Sequence, residues 1–218
     1  MKKFVVMVFC LVILGGCSKT YEPHLALPAA EVPGSIDADV EIHPFTVSED
    51  ILSGHVPYGV LAKDYVNESP SELTQSLTQE ITAELNRRRV FRTLSTYTST
   101  PDLVLTGRIE RFFEHDRRKI WTLVPGVTDR AANLLGAELY TSEGEVHLEM
   151  TLRKPTGEVV GSYVGGSKFN EEYTSKSELD PGDRLNRGLS EAVSQIREKI
   201  LADAALPKTR ALPPLSEH

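Results

Sequence analysis

The chain has 218 residues, with 24 Lys and Arg against 31 Asp and Glu, a formal net charge of −7. That acidic balance argues against nucleic acid and against electrostatic docking on anionic lipid, because both need clustered Lys and Arg. Its two cysteines, Cys10 and Cys17, fall within the first 17 residues, so disulfides, a thiolate metal site and cysteine catalysis are excluded from the rest, which has the length of one ordinary domain.

Met1, Lys2 and Lys3 form a short positive start, and Phe4 to Leu14 is an unbroken apolar run of eleven residues ending at Gly15-Gly16-Cys17. A membrane-spanning helix needs roughly 20 apolar residues. Eleven suit the core of a signal peptide followed by small residues. Leu14-Gly15-Gly16-Cys17 resembles the lipobox of bacterial lipoproteins. The resemblance implies that residues 1–16 are removed, that Cys17 becomes the lipidated N-terminus, and that palmitate and diacylglycerol chains hold the protein on a membrane. An ordinary secretory signal with a coincidental cysteine is the plainer alternative. Stable anchoring takes at least two chains, and bacterial lipoproteins carry three. Ser18 stands where an aspartate would signal inner-membrane retention, which points to the periplasmic face of the outer membrane. The mature chain would hold 22 basic and 31 acidic residues.

Residues 17–36 contain three prolines and no period, which predicts an extended tether. The single domain is expected over 37–204, and a Pro-rich tail over 205–218. Within the domain, Ala38, Val40 and Ile42 alternate with Asp39, Glu41 and His43, predicting a strand to Phe45. Residues 46–68 read as loop, with an extended piece near Tyr58 to Leu61. Ser69, Pro70 and Glu72 make a capping box with proline at the first helical position, and Leu73, Leu77, Ile81 and Leu85 form an apolar stripe. Arg87, Arg88 and Arg89 close that helix. Val90 to Leu94 is extended, and a long strand follows with Leu103, Leu105, Ile109 and Phe113 on one face. Val146, Leu148, Met150 and Leu152 alternate with His147, Glu149, Thr151 and Arg153. Pro155 to Glu158 turns this strand back along Val159 to Gly165. Asp180 is read as the cap of a last helix, with Pro181 at its first position and a stripe of Leu185, Leu189, Val193, Ile196 and Ile200.

Hairpin-linked strands with two amphipathic helices predict an α+β domain: a mostly antiparallel sheet with both helices packed on one face. About 116–142 is an insertion too long for a plain connection. It holds Trp121, Leu123 and Val124, either packed in the core or, as an interaction surface, in contact with a partner or the headgroup region. Asp129, Arg130 and Glu138 exclude a membrane span there.

No nucleotide-binding, zinc-protease or serine-nucleophile motif occurs. The histidines His24, His43, His55, His115, His147 and His218 are scattered, so no metal site and no cofactor are expected. Nothing marks a catalytic pair, and the chain is expected not to be an enzyme.

A lipobox, a proline-bearing tether, "Val-Glu-Ile-His-Pro-Phe", a capped helix leading to "Arg-Arg-Val-Phe", then "Pro-Asp-Leu-Val-Leu-Thr-Gly-Arg-Ile" and "Pro-Thr-Gly-Glu-Val-Val-Gly-Ser-Tyr" follow in order. This order resembles small Gram-negative envelope lipoproteins, the ABC-type transport auxiliary lipoproteins and the TolB N-terminal-domain-like group. The resemblance implies a periplasmic, lipid-anchored adaptor or auxiliary component of an envelope transport or assembly system, acting through protein and membrane contacts. A subunit of an oligomeric outer-membrane export ring is the alternative, with homo-oligomers possible, and a periplasmic enzyme is a distant third.

Overall fold

The computed structural model describes residues 19–25, 35–62, 65–119, 134, 136–174 and 180–208. Its elements run β1 (Lys19–Thr20), β2 (Ile36–Ile42), β3 (Thr46–Val47), α1 (Glu49–Leu52), β4 (Tyr58–Leu61), β5 (Tyr65–Val66), α2 (Pro70–Arg87), β6 (Phe91–Ser95), β7 (Leu103–Arg118), β8 (Tyr140–Arg153), β9 (Val159–Tyr173) and α3 (Asp183–Ala202).

Helix α2 forms where its local chemistry directs. Ser69 Oγ accepts the Glu72 N–H while the Glu72 carboxylate accepts the Ser69 N–H, which satisfies two donors of the first turn. At the other end Val90 N–H reaches Leu85 O and Arg89 N–H reaches Asn86 O, a Schellman closure. It places Arg89 in the left-handed region at φ 51°. The side chains of Arg87 and Arg88 fold back onto the buried carboxylate of Glu84. Leu73, Leu77, Ile81 and Leu85 are buried as expected.

The sheet is mixed, which corrects the expectation of a mostly antiparallel one. Seven strands take part. The order β6-β2-β7-β8-β9 makes a path along which β7 to β9 are antiparallel, while β6 runs parallel to β2 and β2 parallel to β7. The short β3 and β4 also lie parallel along β7, beyond the end of β2. Parallel neighbours need a crossover, and α2 supplies it between β2 and β6. A half-buried strand alternates identically in either direction, so periodicity alone could not reveal this. The α+β class stands.

One face of the sheet is covered. The stripes of α2 and α3 join Leu105, Ile109, Val146, Leu148, Met150 and Leu152 in a single core. His147, Glu149 and Thr151, on the other side of β8, keep part of their surface exposed. Gly165 lets α3 come close, because a Cβ there would fall on the backbone oxygen of Ala192.

Two expectations shift inside these elements. A bulge in β7 between Ile109 and Arg111 changes its parity, so Phe112 enters the core and Phe113 turns towards the open face. Asp180 is not the cap of α3. The cap is Gly182, at φ 99° and without a side chain to do the work.

The flanking stretches are partly built into the domain. Lys19 and Thr20 pair with Tyr65 and Val66, and Tyr21 and Leu25 are buried. At the other end Leu206 is buried, Pro207 O accepts the Asp37 N–H at 2.8 Å, and Lys208 bridges to Ile36.

Candidate functional site

The bulge in β7 carries Glu114 inward together with Phe112. The Glu114 carboxylate has no solvent exposure. Its Oε1 accepts from Ser142 Oγ at 2.9 Å, and its Oε2 accepts the N–H groups of Gly182 at 2.9 Å and Leu185 at 3.1 Å. A helix start leaves such N–H groups without partners and carries partial positive charge. Since Gly182 offers no side chain, a carboxylate from β7 caps α3. Burial pushes this carboxyl above its ordinary range and Asp116 adds to the effect, while the bonds from Ser142, Gly182 and Leu185 pull the other way.

Arg184 lies in the same first turn and is 2% exposed. Its Nη1 stands 3.5 Å from Glu114 Oε1, and its Nε donates to Glu171 Oε2 at 3.1 Å. The guanidinium sits over the Tyr173 ring at 4.4 Å, a favourable cation–π geometry. Tyr173 in turn stacks on Tyr140 at 5.4 Å. Arg187 also pairs with Glu171. Burial and Asp116 raise the Tyr173 hydroxyl above its usual range, which keeps it neutral.

The N-terminal segment enters this cluster from outside. Tyr21 packs on Phe112 with ring centroids 6.0 Å apart. Its hydroxyl donates to Asn186 Oδ1 at 2.6 Å, and the same oxygen accepts the His24 N–H at 2.9 Å. Burial, then the nearby Glu114, raises the Tyr21 hydroxyl well above its ordinary range. The cluster therefore joins β7, β8, β9, the first turn of α3 and the segment after Cys17. Chemically it is a brace. Both Glu114 oxygens already accept bonds inside a closed core.

The outer edge of β9 is treated unevenly. Gly166 gives its N–H and C=O to the Gln195 side chain, at 3.1 and 3.0 Å, and Val164 O accepts from Lys199 Nζ at 2.5 Å. In an antiparallel pair every second residue points both backbone groups away from its partner, so the register places Lys168, Asn170 and Glu172 in the same outward phase. Beside them, on the open face, a groove of about 450 Å³ is lined by Phe113, Glu143, Glu145, Lys168, Phe169 and Asn170. A second groove of about 430 Å³ lies near His43, Arg108 and Arg153. Among the described residues no three His, Cys, Asp or Glu gather as a metal site, and no helix is long and apolar enough to cross a membrane.

Of the residues singled out from sequence, Cys17, Trp121, Leu123 and Val124 lie outside the described residues. The flanks of the insertion are described. Pairing of β7 with β8 runs from Asp116 opposite Ser142 to Arg118 opposite Tyr140, and Lys119 N–H reaches Leu139 O at 2.9 Å. The insertion thus leaves and rejoins the sheet at the end that holds the Glu114 cluster. Sequence reading missed Glu114 and Arg184 because each sits among polar neighbours, and only the β7 bulge turns Glu114 inward.

No protein-family model and no curated protein matches the chain. Among solved structures it is similar to a Xanthomonas campestris protein of the DUF330 family, at 11% identity over 84% of this chain and 92% of that one, with a TM-score of 0.46. It is also similar to the PelC dodecamer of Paraburkholderia phytofirmans, at 15% identity over 81% and 92%, with a TM-score of 0.35. A minor lipoprotein from Acinetobacter baumannii is similar at 13% identity over 78% and 98%, again with a TM-score of 0.35.

Proposed function

We propose that the chain is an envelope lipoprotein, held on the periplasmic face of the outer membrane by lipid on Cys17, and that it serves as a non-enzymatic adaptor of a transport or assembly system. The observation that carries this reading is the N-terminus itself: a positive start, an apolar run of eleven residues and Leu14-Gly15-Gly16-Cys17 in one register. Binding is favoured over catalysis by where the polar groups are. The Glu114 carboxylate is enclosed and bonded, whereas the backbone of Lys168 to Glu172 lies on the outer strand of the sheet, beside which the described residues place no further strand, the kind of surface that accepts an added strand from a partner.

Metabolic labelling with an alkyne fatty acid tests the anchor. Wild-type protein should be labelled and sediment with membranes, and Cys17→Ala should be unlabelled and accumulate as precursor. Normal processing of the alanine variant would refute the lipoprotein reading. A ring subunit is the second reading, favoured by the two unlike edges β6 and β9, which suit head-to-tail association. Mass measured in mild detergent separates the two: a large defined oligomer for the ring, a monomer or small complex for the adaptor.

A further inference from the structure

We infer that the β1–β5 pair, with the first turn of α3 behind it, is the face that the domain turns to the lipid bilayer, and that a very short tether fixes this orientation. The inference rests on lipidation of Cys17. The reasoning is one of reach. The chain is already in a strand at Lys19, paired with Tyr65, and Thr20 pairs with Val66. Tyr21 is then locked by its hydroxyl to Asn186 and by its ring against Phe112.

An extended chain covers at most about 3.6 Å per residue, so the Lys19 backbone lies within about 7 Å of Cys17 and Tyr21 within about 14 Å. The headgroup region of one leaflet is itself roughly 5–8 Å deep, by the difference between total and hydrocarbon thickness. Acyl chains on Cys17 must enter the hydrocarbon. A strand that begins two residues later therefore lies against the headgroups, with no leash on which the domain could swing. Val66, opposite Thr20 and 55% exposed, is an apolar side chain placed to meet that surface. The domain is acidic, so the acyl chains supply the binding energy and this face supplies fit rather than charge attraction. The β8–β9 turn lies away from this face, since Arg153 pairs with Val104 near the start of β7 while Tyr21 packs at Phe112, eight residues further along that strand. That turn then projects towards the periplasm.

The mature chain has no cysteine besides Cys17, so a single introduced thiol reports one position. Lipidated full-length Val66→Cys and Thr156→Cys proteins, labelled with an environment-sensitive fluorophore, are reconstituted into phosphatidylethanolamine/phosphatidylglycerol vesicles containing headgroup-nitroxide lipid. The label at residue 66 should be quenched several-fold more strongly than the label at 156. Inserting about ten Gly/Ser residues between Ser18 and Lys19, which leaves every residue of the fold in place, should abolish the difference because such linkers are flexible coils. Equal quenching at both positions in protein shown by mass to be lipidated overturns the orientation and leaves the lipoprotein reading standing. A contrast that survives the inserted linker overturns the short tether as its cause. Absence of lipid on Cys17 overturns both readings.

Discussion

Glu114 Oε2 lies 2.9 Å from the backbone nitrogen of Gly182, 68 residues further along the chain. This contact gives α3 the cap that its own sequence lacks, and it has a consequence for pH. The carboxyl is raised above its ordinary value of 4.5, chiefly by burial. A raised folded-state value means that the native protein holds this proton more tightly than the unfolded chain. The stabilising contribution is then complete below the ordinary value and is lost as pH rises through the raised one. Glu114→Gln keeps a carbonyl acceptor and cannot titrate. The stability gap between wild type and this variant, read from urea midpoints, should therefore narrow as pH rises above the ordinary value of 4.5.

Gly165→Ala tests the packing of α3 on β9. Its Cβ would fall on the Ala192 carbonyl oxygen, a backbone atom that cannot rotate away. Overpacking of this kind costs about 1–3 kcal/mol and sometimes more. Glu198→Ala, on the exposed side of the same helix, should change stability by less than about 0.5 kcal/mol. Chemical denaturation of both variants makes the comparison.

Arg89→Gly should stabilise the protein. Arg89 closes α2 at φ 51°, a region that costs a residue with a Cβ about 1–2 kcal/mol and glycine almost nothing. Its backbone bond to Asn86 O survives the change. A gain of about 1 kcal/mol should appear as a higher melting temperature, and a loss would show that the arginine side chain matters more than its backbone.

Arg92→Ala should release Asp39. The guanidinium grips Asp39 through both carboxylate oxygens, at 3.0 and 2.7 Å, and also reaches Asp37 and Asp102. Hydrogen bonds from Arg92, then from Thr93, hold the Asp39 carboxyl at about 2. A lowered folded-state value makes the contribution present above the ordinary carboxylate range and lost as pH falls towards 2. Carboxyl carbon NMR of the variant should show Asp39 titrating higher than in the wild type but still below its ordinary value of 3.8, because the Thr93 bond remains.

Gln195→Ala should make the protein more prone to self-association. The Gln195 amide occupies both outward backbone groups of Gly166. Without it the outer edge of β9 loses the partner of both groups of Gly166, and long bare edges invite strand pairing between molecules. Light scattering during mild heating should rise earlier than for wild type, with little change in the far-ultraviolet circular dichroism before the transition.

Some of this architecture was legible in local patterns and some was not. The capping box at Ser69 and Glu72, the stripes of α2 and α3, and the alternation of β8 all appear where the residues place them, because each depends on neighbours within one or two turns. Strict alternation places Phe113 in the core, but Phe112 takes that position, since one extra residue in β7 reverses every side chain after it. Strand direction was also hidden, because β2 would show the same alternation beside either a parallel or an antiparallel partner.

By itself the sequence determined the α+β class, the limits of α2, the apolar faces of both long helices and the pattern that marks Cys17. These follow from periodicity and short-range chemistry. Only the tertiary structure decided that Glu114 enters the core, that it rather than Asp180 caps α3, and that Tyr21 is bound to Asn186 instead of lying in a loose tether. The physical reason is distance along the chain. A buried carboxylate is tolerated only when donors surround it, and those donors come from Ser142, Gly182 and Leu185, residues that no local pattern connects and that meet only once the sheet has formed.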